Sequence, residues 1–293
     1  MAFSKFGISG QAEMSYQAGR PARRTVSVLF GILALGLLSA CSGSSDEEEA
    51  LYEERPVDVI YNEAMDELEK GDYRDAAEQF DEVERQHPYS VWARRAMLMS
   101  SYANYQVNEY DQAILAAQRY ISLFPGSQDA AYAYYLIALC YYERIVDVGR
   151  DQSMTLRALG ALQEVVSRYP ESEYARDAQL KIDLTLDHLA GKEMAVGRYY
   201  LYEGEYLAAI NRFRNVILNY QTTSQVPEAL HRLVEAYLTL GIDNEAQTAG
   251  AILGYNYPGS RWYEDSYALL ADKGLEPQED EGSWMSRAWD SVF

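Results

Sequence analysis

An all-α solenoid of stacked antiparallel helix pairs is the fold class this 293-residue sequence predicts, and three observations carry that prediction. Five alanines, Ala76, Ala113, Ala158, Ala209 and Ala246, each stand 12 residues ahead of a stop, at Pro88, Pro125, Pro170, Gln221 and Pro258. One turn beyond each alanine, on the same helix face, comes Phe80, Ala117, Leu162, Phe213 or Gly250. The segments Gly71-Asp72-Tyr73 and Gly204-Glu205-Tyr206 mark turns, because Gly accepts the left-handed backbone that ends a helix. A pattern whose internal spacing survives while the distance between copies changes is a repeat, and solenoids of repeats mostly bind other proteins.

Each unit reads as a first helix, a turn at Tyr73, Tyr110, Thr155, Tyr206 or Asp243, and a second helix whose alanine lets the two axes approach. The closing Pro has no N–H and cannot continue the second helix. Two residues later Ser90, Ser127, Ser172 and Ser260 are placed to cap the next first helix. Stop-to-stop distances are 37, 45, 51 and 37 residues, so the middle two intervals carry insertions. One is a loop from Val146 to Ser153, and the other lengthens the helices between Tyr174 and Tyr202. The fourth stop, Tyr220-Gln221-Thr222-Thr223-Ser224, lacks the Pro, and Pro227 starts the following helix instead. The core Gly-x-Tyr-x-x-Ala-x-x-x-Phe resembles the tetratricopeptide repeat. That resemblance implies a right-handed solenoid of five helix pairs over residues 56–273 with a C-terminal capping helix.

Lys5, Arg20, Arg23 and Arg24 precede an apolar run from Val26 to Leu38, which suits a secretory signal better than a membrane span. Leu38-Ser39-Ala40-Cys41 resembles a bacterial lipobox, which implies removal of residues 1–40, diacylation of Cys41, and an outer-membrane destination favoured by Ser42 at the next position. Residues 41–55, with Gly43-Ser44-Ser45 and Asp46-Glu47-Glu48-Glu49, read as a self-repelling tether. Net charge is −20, and the chain without its first 40 residues keeps 21 basic against 44 acidic side chains. That balance argues against a nucleic-acid partner and against electrostatic docking on anionic lipid, leaving the acyl chains as the anchor. With Cys41 acylated, Cys140 has no partner for a disulfide and reads as a small buried apolar residue.

Catalytic and cofactor motifs are missing from the sequence, and no cofactor or metal is expected. His87, His188 and His231 stand in no two-histidine ligand spacing, and His87 fills the aromatic slot that Phe124, Tyr169 and Tyr257 occupy before the other prolines. Asp147-x-Gly149-x-Asp151 has too few ligands for a calcium loop, and Asp151 reads as the cap of a helix starting near Gln152.

The lipobox, the five repeats, the stretch from Gln163 through Tyr169-Pro170-Glu171-Ser172 to Ala178, and the stretch from Glu193 through Arg198-Tyr199-Tyr200 to Phe213 together resemble the BamD family. These are lipoproteins of the outer-membrane β-barrel assembly machinery, and the second stretch is similar to their alphaproteobacterial branch. The resemblance implies a lipid-anchored scaffold on the periplasmic face of the outer membrane. It would bind a β-barrel assembly subunit with periplasmic domains, other lipoproteins of the complex, and unfolded outer-membrane proteins. Carried over by position, Arg198, Tyr199, Tyr202, Glu203 and Glu205 are candidates for the subunit interface, and Tyr102, Tyr105, Tyr132 and Tyr135 for a substrate groove. For every tyrosine the alternative is packing between helices, since an aromatic stripe in a solenoid is usually interior. A rival function is that of a pilot lipoprotein for a secretin or pilus pore, which shares anchor and repeats but has no need of the long fourth unit.

Residues 274–293 fall outside the repeats. An acidic link is followed by Trp284, Met285, Ala288, Trp289, Val292 and Phe293, spaced along one face of a short helix with Ser283 as its cap. Such a helix is marginal alone, so Trp284, Trp289 and Phe293 are expected to be buried, on a partner or back on the solenoid as a cap over its end.

Overall fold

The computed structural model describes residues 54–290. The leader, the tether before Glu54, the acylation of Cys41 and the docking of Phe293 lie outside the described residues. Within them five antiparallel pairs follow one another: α1 (Val57–Lys70) with α2 (Tyr73–Gln86), α3 (Val91–Gln106) with α4 (Tyr110–Leu123), α5 (Ala130–Tyr142) with α6 (Ser153–Arg168), α7 (Glu173–Tyr202) with α8 (Tyr206–Asn219), and α9 (Val226–Leu240) with α10 (Asp243–Asn256). Helix α11 (Arg261–Asp272) packs on α9 and α10, and a short α12 (Trp284–Asp290) closes the described chain. The architecture is an all-α tetratricopeptide solenoid, with no strand among the described residues.

The five repeat alanines lie on the second helices and are fully buried, as are the side chains of Phe80, Ala117, Leu162 and Phe213 one turn on. Four of the five pairs share one turn. A left-handed residue (Gly71, Asn108, Gly204 or Gly241, φ between 62° and 87°) is followed by a residue whose N–H reaches back to close the first helix. These bonds run from Asp72, Glu109, Glu205 and Ile242 to the carbonyls of Glu67, Asn104, Tyr200 and Tyr237, each 2.9 Å. Asn108 shows why the glycine signal is incomplete, since asparagine is the other residue that tolerates this conformation. The third pair lacks the turn and instead carries the loop between α5 and α6, where the Asp147 carboxylate accepts from the Gly149 N–H (2.7 Å) and that of Asp151 from the Ser153 N–H (3.0 Å). Both carboxylates therefore organise the loop, and helix α6 begins at Ser153, a residue later than expected.

The aromatic slot is the C-cap of every second helix. His87, Phe124, Tyr169, Tyr220 and Tyr257 share φ between −131° and −136° and ψ between 41° and 57°, a backbone outside the helical region, into which a following Pro pushes the residue before it by clashing with helical geometry. Tyr220 keeps it without Pro. There Thr223 Oγ1 donates to the Tyr220 carbonyl (2.8 Å), and Asp187 of α7 accepts from both the N–H and the hydroxyl of Ser224 (2.8 and 2.6 Å).

Ser90, Ser172 and Ser260 cap α3, α7 and α11, accepting from Ala93, Ala175 and Tyr263 at 3.0 to 3.3 Å. Each such cap is worth about 1 kcal/mol. Ser127 does not cap a helix. Its hydroxyl bonds the buried Tyr120 hydroxyl (2.7 Å), and α5 starts after Asp129.

Successive first helices touch one another while successive second helices do not, so α1, α3, α5, α7 and α9 line the inner side of the curve. Helix α7 runs for 30 residues, about 45 Å at the α-helical rise, twice the length of its neighbours. Cys140 is buried, and loss of hydration pushes its thiol up to about 12, as suits an inert packing residue.

Candidate functional site

On the inner side, the residue two places after each capping Ser is aromatic: Trp92, Tyr174 and Trp262. Each ring packs on an aromatic of the preceding first helix. Trp92 lies 4.7 Å from Tyr61, Tyr174 lies 5.4 and 5.2 Å from Tyr132 and Tyr135, and Trp262 lies 5.2 Å from His231. Ser-x-aromatic is thus a further signal legible in the sequence, and it adds Tyr174 to the four candidate groove tyrosines.

Tyr102, Tyr105, Tyr132 and Tyr135 are all half-buried and clustered on α3 and α5. Burial pushes Tyr132 far above the ordinary phenol range, with Tyr102, Tyr174 and Tyr105 adding to the rise. Tyr135 is raised by burial and by donating its hydroxyl to the Asp177 carboxylate. In return Asp177 is held below the usual carboxylate range, first by that bond and then by Lys181 at 3.0 Å. Burial together with Glu143 takes Tyr105 up to about 12. The row therefore serves packing and lines a surface at once. Each ring packs on an aromatic neighbour and keeps part of its surface in solvent.

The α7–α8 edge is built differently. Gly197 lets the Phe213 ring seat against the α7 backbone, for a Cβ there would stand 2.5 Å from the ring. Beyond that buried platform the side chains project outward, with Tyr199 61% and Tyr202 89% exposed and Glu203 and Glu205 in solvent around the turn. For these two tyrosines interhelical packing is overturned. Arg198 is also exposed but committed, pairing with Glu228 of α9 at 3.1 Å. It joins the α7 and α9 layers, so reversing its charge would disturb the stack as well as any interface.

The tail folds back on its own solenoid. Met285 is fully buried and Trp289 only 8% exposed. Helix α12 lies across α8 and α10. The Trp284 ring stacks on the Arg214 guanidinium at 4.6 Å and its Nε1–H donates to the Tyr237 hydroxyl (3.1 Å). Ser283 accepts from the Met285 N–H (3.1 Å) and donates to Glu245 (2.7 Å). The expected cap over the solenoid's end is corrected to this extent: α11 covers the last pair, while α12 fills a lateral groove between second helices.

Among the described residues no three His, Cys, Asp or Glu side chains are grouped to hold a metal, and no helix is long and apolar enough to cross a membrane. The surface carries two groups of tyrosines on a repeat scaffold, and the fold defines the class: an all-α tetratricopeptide solenoid. Residues 53–252 match the family model YfiO, described as an outer membrane lipoprotein. A Caulobacter vibrioides protein named outer membrane protein assembly factor BamD is 55% identical over 259 residues, covering 88% of this chain and 84% of that one. The protein of the same name from Rickettsia prowazekii is 43% identical, covering 84% and 98%. The chain belongs to this family of outer-membrane lipoproteins.

Proposed function

We propose that this chain is a non-catalytic scaffold in outer-membrane protein assembly, held to the periplasmic face of the outer membrane by acyl chains on Cys41. The observation that carries the partner interface is the exposure of Tyr199 and Tyr202, two large aromatic side chains that stand mostly in solvent at the end of the 30-residue helix α7. Aromatic residues left in water on a rigid platform are the anchors that protein interfaces use. Together with Glu203 and Glu205 they form the face for the β-barrel assembly subunit. The half-buried row of Tyr102, Tyr105, Tyr132 and Tyr135 faces unfolded outer-membrane proteins, and other lipoproteins of the complex complete the assembly.

The test is purification of the full acylated chain from native membranes with identification of the proteins that accompany it. The β-barrel assembly subunit is expected, and is expected to be lost when Tyr199→Ala and Tyr202→Ala are combined. Recovery of a secretin without that subunit would reject the reading in favour of a pilot lipoprotein. Lipid labelling of a Cys41→Ser chain would refute the anchor.

A further inference from the structure

The groove filled by α12 has a repeat-related twin that stands open. In the filled groove α8 and α10 form the walls and α9 the floor, and in the twin α4 and α6 form the walls and α5 the floor. Five residues past the repeat alanine, Arg214 of the filled groove corresponds to Gln118. Sixteen residues past the stop, Tyr237 corresponds to Tyr141, and around the next repeat alanine Glu245 and Thr248 correspond to Arg157 and Gly160. All four counterparts line one cavity of about 600 Å3.

Three features distinguish this groove from a mere gap between helices. The Tyr141 hydroxyl has no hydrogen-bond partner among the described residues, whereas Tyr237 receives the Trp284 N–H. A Cβ on Gly160 would meet nothing within 4 Å, so the wall is open where Thr248 in the filled groove accepts the Asp280 N–H at 3.2 Å. Arg157 is exposed and has no ion-pair partner among the described residues, at the place where Glu245 receives the Ser283 hydroxyl. The preceding groove, between α2 and α4, is by contrast bridged by Arg119 to Glu84 (3.0 Å) and to Asp81 (3.5 Å).

We propose that the α4–α5–α6 groove is a docking site for a short amphipathic helix of a partner protein. That helix carries an aromatic residue on its apolar face, as α12 does, but an acidic residue where α12 has Ser283. The filled groove shows the geometry of the bound helix, and Arg157 in place of Glu245 reverses the charge required at its first turn. An indole or phenol from the incoming helix would take the free Tyr141 hydroxyl. The site is separate from the α7–α8 edge and does not rest on the function proposed above.

The probe is a fluorescein-labelled peptide of residues 282–293 bearing Ser283→Asp, titrated by anisotropy against the detergent-solubilised full chain with its own tail in place. Saturable binding is expected. Gly160→Leu, which fills the opening with a better helix former, should weaken it by roughly tenfold or more without changing helix content. Arg157→Glu should weaken it by about threefold, and should weaken the unsubstituted peptide less. Three results with the probe would overturn the proposal: no binding to the intact chain, binding indifferent to Gly160→Leu, or binding that appears only after residues 276–293 are deleted, which would place the probe in the tail's own groove. Self-association of the full chain that Gly160→Leu abolishes would assign the groove to a second copy of this chain and also overturn it.

Discussion

Two tyrosine clusters on one solenoid, the inner row on α3 and α5 and the tip of α7, use the same side chain in opposite ways. Tyr132 and Tyr135 stack on Tyr174 of the next first helix, and Tyr135 gives its hydroxyl to Asp177, so those rings hold adjacent repeats in register. Tyr199 and Tyr202 stand largely in solvent, Tyr199 leaning on the neighbouring Tyr200 ring (5.8 Å), above the platform that Gly197 and Phe213 complete. If both clusters serve the proposed interfaces, stability and recognition are entangled in the first and separable in the second. A loss of binding on mutation therefore means different things at the two places.

The largest effect that would break this contrast is at Tyr132. Tyr132→Ala removes a half-buried ring from the seam between α5 and α7 and is expected to cost about 2–3 kcal/mol in urea unfolding at neutral pH. The same cluster sets an alkaline limit. Tyr105, Tyr132 and Tyr135 all hold their protons above the ordinary phenol value, so their contribution is complete below about pH 10 and is lost as pH rises beyond it, where the unfolded chain ionises first. A cost at Tyr132→Ala below about 0.5 kcal/mol would show the row to be as idle as the tip.

A smaller loss, about 1 kcal/mol, is expected for Tyr135→Phe, which keeps the ring and removes the bond to the Asp177 carboxylate. Because Asp177 is depressed in the folded chain, the stability it brings is fully present above the ordinary carboxylate value near pH 4 and fades as pH falls through the folded value. The difference between parent and variant should therefore shrink as pH falls below the ordinary carboxylate value near 4 in parallel urea melts. A difference that persists there would assign the loss to packing.

The smallest effect on stability is at the tip, where Tyr199→Ala with Tyr202→Ala should stay within about 0.5 kcal/mol of the parent. Thermal unfolding of the purified chain measures it. A drop as large as that at Tyr132 would mean that the exposed pair supports the α7–α8 turn, and the contrast between the clusters would collapse.

Much of this was legible in the residues because it depends on local chemistry. The Ala-to-stop spacing marked the second helices, Gly71 and Gly204 marked two turns, and Ser90, Ser172 and Ser260 marked three helix starts, since each signal acts within a few residues of itself. The signals failed where a distant group took the role. Ser127 is drawn off by the Tyr120 hydroxyl seven residues earlier, and the Pro-less stop at Gln221 is held by Asp187 on another helix. The tyrosines show the limit most plainly. Their positions on α3, α5 and α7 follow from helical spacing, but which of them are committed to a neighbour depends on how the pairs stack.

By itself the sequence determined the repeat, its helix boundaries to within a residue or two at most positions, and an amphipathic tail that needed burial. Only the tertiary structure decided where that tail lies, that Arg198 spends its charge on Glu228, and that Tyr199 and Tyr202 face water. The physical reason is that helix and cap preferences act over a few residues along the chain. Burial and ion pairing across a solenoid are set instead by which faces the stacking of successive pairs brings together, and that depends on residues dozens of positions away.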